Sequence, residues 1–159
     1  MFADPLVDKL AAFVRAIGIE VCPATLAEPT ILPGLDIRYG AILVDEQRLA
    51  YPGDLLHEAG HVAVAPPEQR QQPTLTSTPA DEMTAIAWSY AAALELGIDP
   101  AIVFHPDGYK GQAGGILQNF VSGNYFGVPM LIRYGMAIEP RSAGDRRDQA
   151  YPHMLRWLR

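Results

Sequence analysis

The chain has 159 residues, 49% of them hydrophobic and 19% charged, a globular balance that excludes a disordered chain and fits one domain over residues 1–159. Its 18 acidic and 12 basic residues leave a formal charge of -6, which excludes a diffuse nucleic-acid-binding surface as the main function.

The first predicted element is a helix. Asp4 can cap it, Pro5 suits its first position, Leu6, Leu10, Phe13, Val14 and Ile17 form an apolar stripe, and Gly18 closes it. Ahead of it, Met1-Phe2-Ala3-Asp4 has no positive segment leading into an apolar run, so no secretory signal is expected. No stretch reaches about 18 apolar residues, so no membrane partner is expected and a cytoplasmic location follows as the default.

Residues 19–34 carry Pro23, Pro29 and Pro33-Gly34 and predict an irregular connector. Cys22 lies within it. A single cysteine excludes both an internal disulfide framework and a Cys-rich zinc site, and reads as a small buried apolar residue. Leu35 to Asp45 is rich in β-branched residues around Gly40 and predicts one bent strand or two short ones.

Tyr51-Pro52-Gly53-Asp54 opens a second helix, which Pro66-Pro67 must end. Glu68 to Ser77 reads as a polar loop. Thr78, Pro79 and Asp81 then give an N-cap, a first-turn proline and a capping box for a third helix that runs to Leu96 and stops at Gly97. Further on, Gln112–Val121 predicts a short helix, Val128–Met136 is apolar and of open type, and Met154–Arg159 predicts a last amphipathic turn. Charge is uneven along this path. Residues 133–159 hold 6 basic and 3 acidic groups, a basic tail that could dock on its own acidic body, a neighbour or an anionic partner.

The residues that carry chemistry are His57-Glu58-Ala59-Gly60-His61. Positions i and i+4 of a helix share a face, so two imidazoles so spaced can bind one zinc ion with nitrogens about 2.0–2.1 Å away. Glu58 projects beside such an ion, where it can hydrogen-bond a bound water and take its proton once zinc has lowered the water's pKa toward about 7. The plainer alternative is an amphipathic helix whose histidines bond within the core or face solvent. Leu55, Leu56, Val62 and Val64 argue against it, because two histidines and a glutamate on so apolar a helix are costly to bury without a partner.

A catalytic zinc takes three protein ligands and keeps one position open. Asp99, Asp107 and Asp145 are weak candidates for the third, and Asp81 and Glu82 stand together at the start of the third helix. A metzincin continuation is excluded because Val64 and Pro67 occupy the positions of its Gly and third His. Cys22, between Val21 and Pro23, does not match the cysteine motif of peptide deformylases. The motif also occurs in membrane-bound ATP-dependent proteases, but this chain has neither a GxxxxGK[ST] loop nor a membrane segment.

Glu82-Met83-Thr84-Ala85-Ile86-Ala87-Trp88, following His57–His61, resembles the small gluzincin-type metallopeptidases, the ImmA/IrrE-like bacterial proteases among them. The resemblance covers about residues 37–97. It implies His57, His61 and Glu82 as zinc ligands and Glu58 as general base. It also implies an α+β, mostly helical zincin-like domain with a short sheet or hairpin (35–49) beside the motif helix, and zinc-dependent hydrolysis of a peptide or amide bond in a peptide or protein substrate. The chain departs from the thermolysin pattern at Ile86, where an Asp would orient a ligand histidine, so that support must come from elsewhere.

A developing oxyanion needs a further donor. His105, Tyr109, Tyr125 and His153 are candidates, and the polar turn His105-Pro106-Asp107-Gly108-Tyr109 favours His105 and Tyr109. Two other functions fit the same residues: a zinc-stabilised protein-binding or regulatory module without proteolytic activity, and an amidohydrolase acting on non-peptide amides.

Overall fold

A computed structural model describes residues 1–159. The first helix, α1 (Pro5–Ala16), starts where Asp4 accepts hydrogen bonds from the backbone of Leu6 and Val7 at 2.7 and 3.3 Å. Its buried stripe is Val7, Leu10, Ala11 and Val14. Three short strands follow: β1 (Val21–Pro23), β2 (Leu35–Arg38) and β3 (Ala41–Val44). They form one mixed sheet in the order β1-β3-β2. β2 and β3 pair antiparallel with Arg38 opposite Ala41, joined by Tyr39-Gly40, both left-handed as a two-residue hairpin turn requires. β1 pairs parallel to β3, Val21 opposite Ile42. Local sequence reads this segment as irregular because its prolines dominate; pairing with β3 overrides that preference.

The helical part begins with α2 (Asp54–Val64). A single turn, α3 (Pro67–Arg70), interrupts what reads as a polar loop. The longest element is α4 (Pro79–Glu95), entered through Thr78 with the full capping box to Asp81. α5 (Ala113–Val121) and α6 (Val128–Arg133) complete the set. The architecture is therefore α+β and mostly helical. The expected terminal helical turn is absent: Met154 instead bridges Ala137 in antiparallel fashion. The indole of Trp157 packs edge-on against Phe13 and Trp88, with centroids 5.1 and 5.4 Å away.

One core of 33 buried residues runs from Phe2 to Met154. The most extensive contact between elements is that of α2 with α4, and it turns on a glycine. A Cβ at Gly60 would sit 2.8 Å from the Ala85 carbonyl oxygen and 3.3 Å from Trp88. Ala85, Ala87, Ala91, Ala92 and Ala93 keep α4 slim. A mid-helix glycine costs about 1 kcal/mol against alanine, so its presence marks a contact worth more than that.

Two alanine substitutions test this balance. Gly60→Ala gains propensity but forces two backbones apart, and is expected to destabilise by about 1–3 kcal/mol. Gly114→Ala, in α5 with nothing within 4 Å of the added methyl, is expected to stabilise by about 0.5–1 kcal/mol. Thermal denaturation checks both, at about 2–4 °C per kcal/mol for a chain of this size. Equal shifts of the same sign would refute the packing argument.

Candidate metal centre

Leu55, Leu56, Ala59, Val62 and Ala63 turn α2 into the core, which leaves His57, Glu58 and His61 on the stripe that faces a cleft of about 960 Å³. The helix ends at Val64 because Pro66 and Pro67 can supply no further N–H. Glu82 comes from the first turn of α4. The Asp81 carboxylate is committed to the cap, accepting from the Thr78 backbone and hydroxyl at 2.8 Å each. Glu82 is thereby free to reach across to α2.

Its carboxylate does so. Glu82 Oε2 lies 2.8 Å from His61 Nε2 and Oε1 lies 3.4 Å from His57 Nε2. The two Nε2 atoms are 3.2 Å apart. Tetrahedral donors about 2.0–2.1 Å from a shared ion stand about 3.3 Å from one another. Three donor atoms on two helices thus already hold the spacing of a zinc site, and all lie within 4.8 Å of one another. The donor set, two imidazoles and one carboxylate, suits zinc and leaves a position open.

Charge around the cluster is set by burial. His57 is pulled down to about 4, by desolvation and by His61, so its ring is neutral at pH 7 and able to ligate. Burial also pulls on His61, but its hydrogen bond and charge pairing with Glu82 outweigh that and raise its proton affinity. The same hydrogen bond from His61 holds Glu82 below the usual carboxylate range. Glu58 bonds to none of these groups. Burial pushes its carboxyl up to about 7, toward a base poised near neutral pH.

Behind the two rings stand hydroxyls. The Tyr109 hydroxyl is 2.8 Å from His57 Nδ1 and the Ser77 hydroxyl 3.3 Å from His61 Nδ1. These residues supply the support that Ile86 cannot. Ser77 carries no signal in the sequence beyond its place one residue ahead of a helix cap.

The expected oxyanion donors are placed differently from expectation. Tyr109 lines the cleft, but its hydroxyl sits on the Nδ1 side of His57, the side turned away from the donor cluster. His105 also borders the cleft, yet it is only 8% exposed. Its Nε2 is 2.7 Å from Asp54 Oδ1, and its Nδ1 is buried without a partner. Its ring stacks on Tyr51 at 3.8 Å, and the Tyr51 hydroxyl donates to Asp107. Neither residue therefore points a free donor at the cluster. Tyr125 and His153 lie outside the cleft lining. Of the alternative ligands, Asp99 caps the backbone N–H of Ala101 at 2.9 Å, Asp107 is bonded to Tyr51, and Asp145 is not in the cleft. No family model matches this chain, nor does any curated protein or solved structure. No helix is long and apolar enough to cross a membrane.

Metal analysis after dialysis against zinc tests the ligand set. Wild type is expected to retain one zinc per chain. Glu82→Ala and His57→Ala are each expected to lose more affinity than the 10–100-fold, roughly, that follows removal of an outer partner. Asp81→Asn is expected to keep the zinc while weakening the cap by about 0.5–1 kcal/mol. Zinc retention by Glu82→Ala together with loss in Asp81→Asn would reverse the assignment.

Proposed function

We propose that this chain is a zinc-dependent hydrolase of peptide or amide bonds, a compact metallopeptidase of the gluzincin type. The observation that carries the reading is the convergence of His57, His61 and Glu82 at the floor of an open cleft with Glu58 beside them. Bound zinc would supply an acidified water and polarise the scissile carbonyl.

The chain's own residues supply the rest. Glu58 sits one position after His57 on the same helix face and shares no hydrogen bond with the ligands, so its carboxylate is available to take a proton from the attacking water. It can then return that proton to the departing amine, the second transfer that amide cleavage requires. The cleft suits an extended chain. One wall is apolar and formed by residues 26–33, with Leu35 and Ile37 of the edge strand β2 at its lip. Along that edge the Ile37 N–H is occupied by the Asp36 carboxylate at 3.0 Å, so a peptide docking there must displace that side chain.

A second reading draws support from a different observation. Both candidate oxyanion donors, His105 and Tyr109, are committed to other partners. This favours a zinc-stabilised protein-binding module in which the ion holds α2 to α4.

Glu58→Gln separates the two. The hydrolase reading expects unchanged zinc content and a fall of about 10²–10⁴ in kcat on a fluorogenic library of unstructured peptides. Equal turnover by Glu58→Gln and wild type would remove Glu58 as the base. A zinc-loaded wild type that cleaves nothing in that library or in a panel of small amides would favour the binding module.

A further inference from the structure

An antiparallel strand turns alternate residues toward its neighbour and the rest outward. In β2 the bond from the Asp45 N–H to the Gly34 carbonyl at 2.8 Å sets the phase. Asp36 and Arg38 therefore face β3, while Leu35 and Ile37 turn their N–H and C=O groups to the open edge of the sheet. That edge borders the cleft. Both of its N–H groups are already occupied. The Leu35 N–H donates to the Leu32 carbonyl at 3.1 Å, and the Ile37 N–H donates to Asp36 Oδ1 at 3.0 Å. What the edge still offers is acceptors, two carbonyls and a carboxylate.

The Asp36 carboxylate has capacity to spare. Oδ1 accepts from Ile37 and Oδ2 accepts from Arg38 Nε at 2.8 Å, whereas an ionised carboxylate has about four acceptor sites. Arg38 neutralises it only weakly, because its side chain is 63% exposed and ion pairs so open to water contribute little. Groups brought by an extended peptide therefore fare differently here. A peptide carbonyl seeking the Ile37 N–H has to displace the carboxylate and meets its charge. An ammonium or guanidinium adds to the free lone pairs and displaces nothing.

Charge along the cleft acts in the same direction. Six carboxylates line it against two cations, Arg38 and Lys110, a surplus that a divalent ion reduces without cancelling. Lys110 belongs to a separate turn, strapped along α2 by the bonds of His105 to Asp54, Asp107 to Tyr51 and Tyr109 to His57. Between residues 26 and 38, Arg38 is the one cation on the cleft wall.

We propose that Asp36 determines specificity on the strand side of the cleft: it closes the edge of β2 to the carbonyls of an extended peptide and selects a substrate whose lysine or arginine side chain reaches its carboxylate. The substrate class is a cationic peptide. The inference rests on the metallopeptidase reading for its chemistry, but the selection itself is a matter of binding.

Binding and turnover are therefore measured separately, on the zinc-loaded full-length chain. N-acetylated fluorogenic peptides carry lysine, or the uncharged analogue norleucine, at successive positions. Fluorescence anisotropy in a Glu58→Gln background reads affinity, and wild type reads kcat/KM. Lysine is expected to be preferred about 3–10-fold at one position, between the worth of an open ion pair and that of a charged hydrogen bond. The preference is expected to shrink as salt rises.

Two variants part the roles of Asp36. Asp36→Asn keeps an oxygen for the Ile37 N–H without the charge, and is expected to bring the lysine peptide down to the norleucine level. Asp36→Ala also opens the edge, and is expected to raise the norleucine peptide above its wild-type level. Equal affinity of wild type for the two peptides would overturn the proposal, as would an undiminished lysine preference in Asp36→Asn. A preference that emerges only when the acetyl group is removed assigns the cation to the amino terminus and overturns the side-chain proposal. If wild type binds lysine peptides selectively yet cleaves none, the hydrolase reading fails while the role of Asp36 stands.

Discussion

The site depends on the near contact of α2 with α4 at Gly60 and Ala85. His57 and His61 are fixed by one helix, but a carboxylate from another helix reaches them only if the two backbones lie unusually close. Glycine on one side and alanines on the other allow this. The entry of α4 then sets which carboxylate arrives. Thr78 and Asp81 close the capping box and consume the Asp81 side chain, so the next residue, Glu82, faces α2. Gly127 fixes the other side of this turn. A Cβ there would meet the Met83 carbonyl oxygen at 2.1 Å, so the chain entering α6 is pressed against the segment that delivers Glu82.

What the sequence conveyed and what it withheld divide along physical lines. Features set by neighbours in the chain were legible: the Asp4 cap, the Thr78–Asp81 box, the helical phase of His57 and His61, and the stop at Pro66-Pro67. That Glu82 rather than Asp81 is free to reach α2 was also legible, because the capping box engages the Asp81 side chain. Features set by distant partners were not. β1 exists because β3 offers it a ladder, and nothing between Pro23 and Pro33 announces that. Cys22 lies in that strand and is half-buried, with its thiol 3.3 Å from Glu20; the Glu20 carboxylate, followed by burial, raises its pKa. The end of the basic tail docks on its own chain, through carbonyls rather than the acidic groups that net charge suggests. The Arg159 backbone N–H donates to the Ala63 carbonyl at 3.0 Å, and its guanidinium donates to the Val64 carbonyl at 3.4 Å.

The turn from His105 to Tyr109 shows the limit most clearly. Composition marks it as polar, and polar groups near a cleft suggest donors for a substrate. The left-handed pair at Tyr109-Lys110 cannot be read from residue types that do not favour it. Yet that pair aims the phenol at the back of His57 rather than into the cleft. His105 is spent in the same way on Asp54, whose carboxyl is raised by burial and partly offset by the histidine. The segment serves α2 before it serves any substrate.

Neutral hydroxyls behind the ligand rings have an electrostatic consequence. A carboxylate partner makes an imidazole a stronger donor and adds negative charge near the ion. A phenol that burial keeps neutral and a serine add none. The donor set then carries one negative charge, that of Glu82, and a divalent ion held there keeps more of its own. Such an ion would be a stronger Lewis acid but would be gripped less tightly. Rigidity can offset the weaker grip: donor atoms already near their bound spacing lose little freedom when the ion enters. In this chain the close packing at Gly60 and the strapped turn at Tyr109 provide that rigidity, and both act on the same helix.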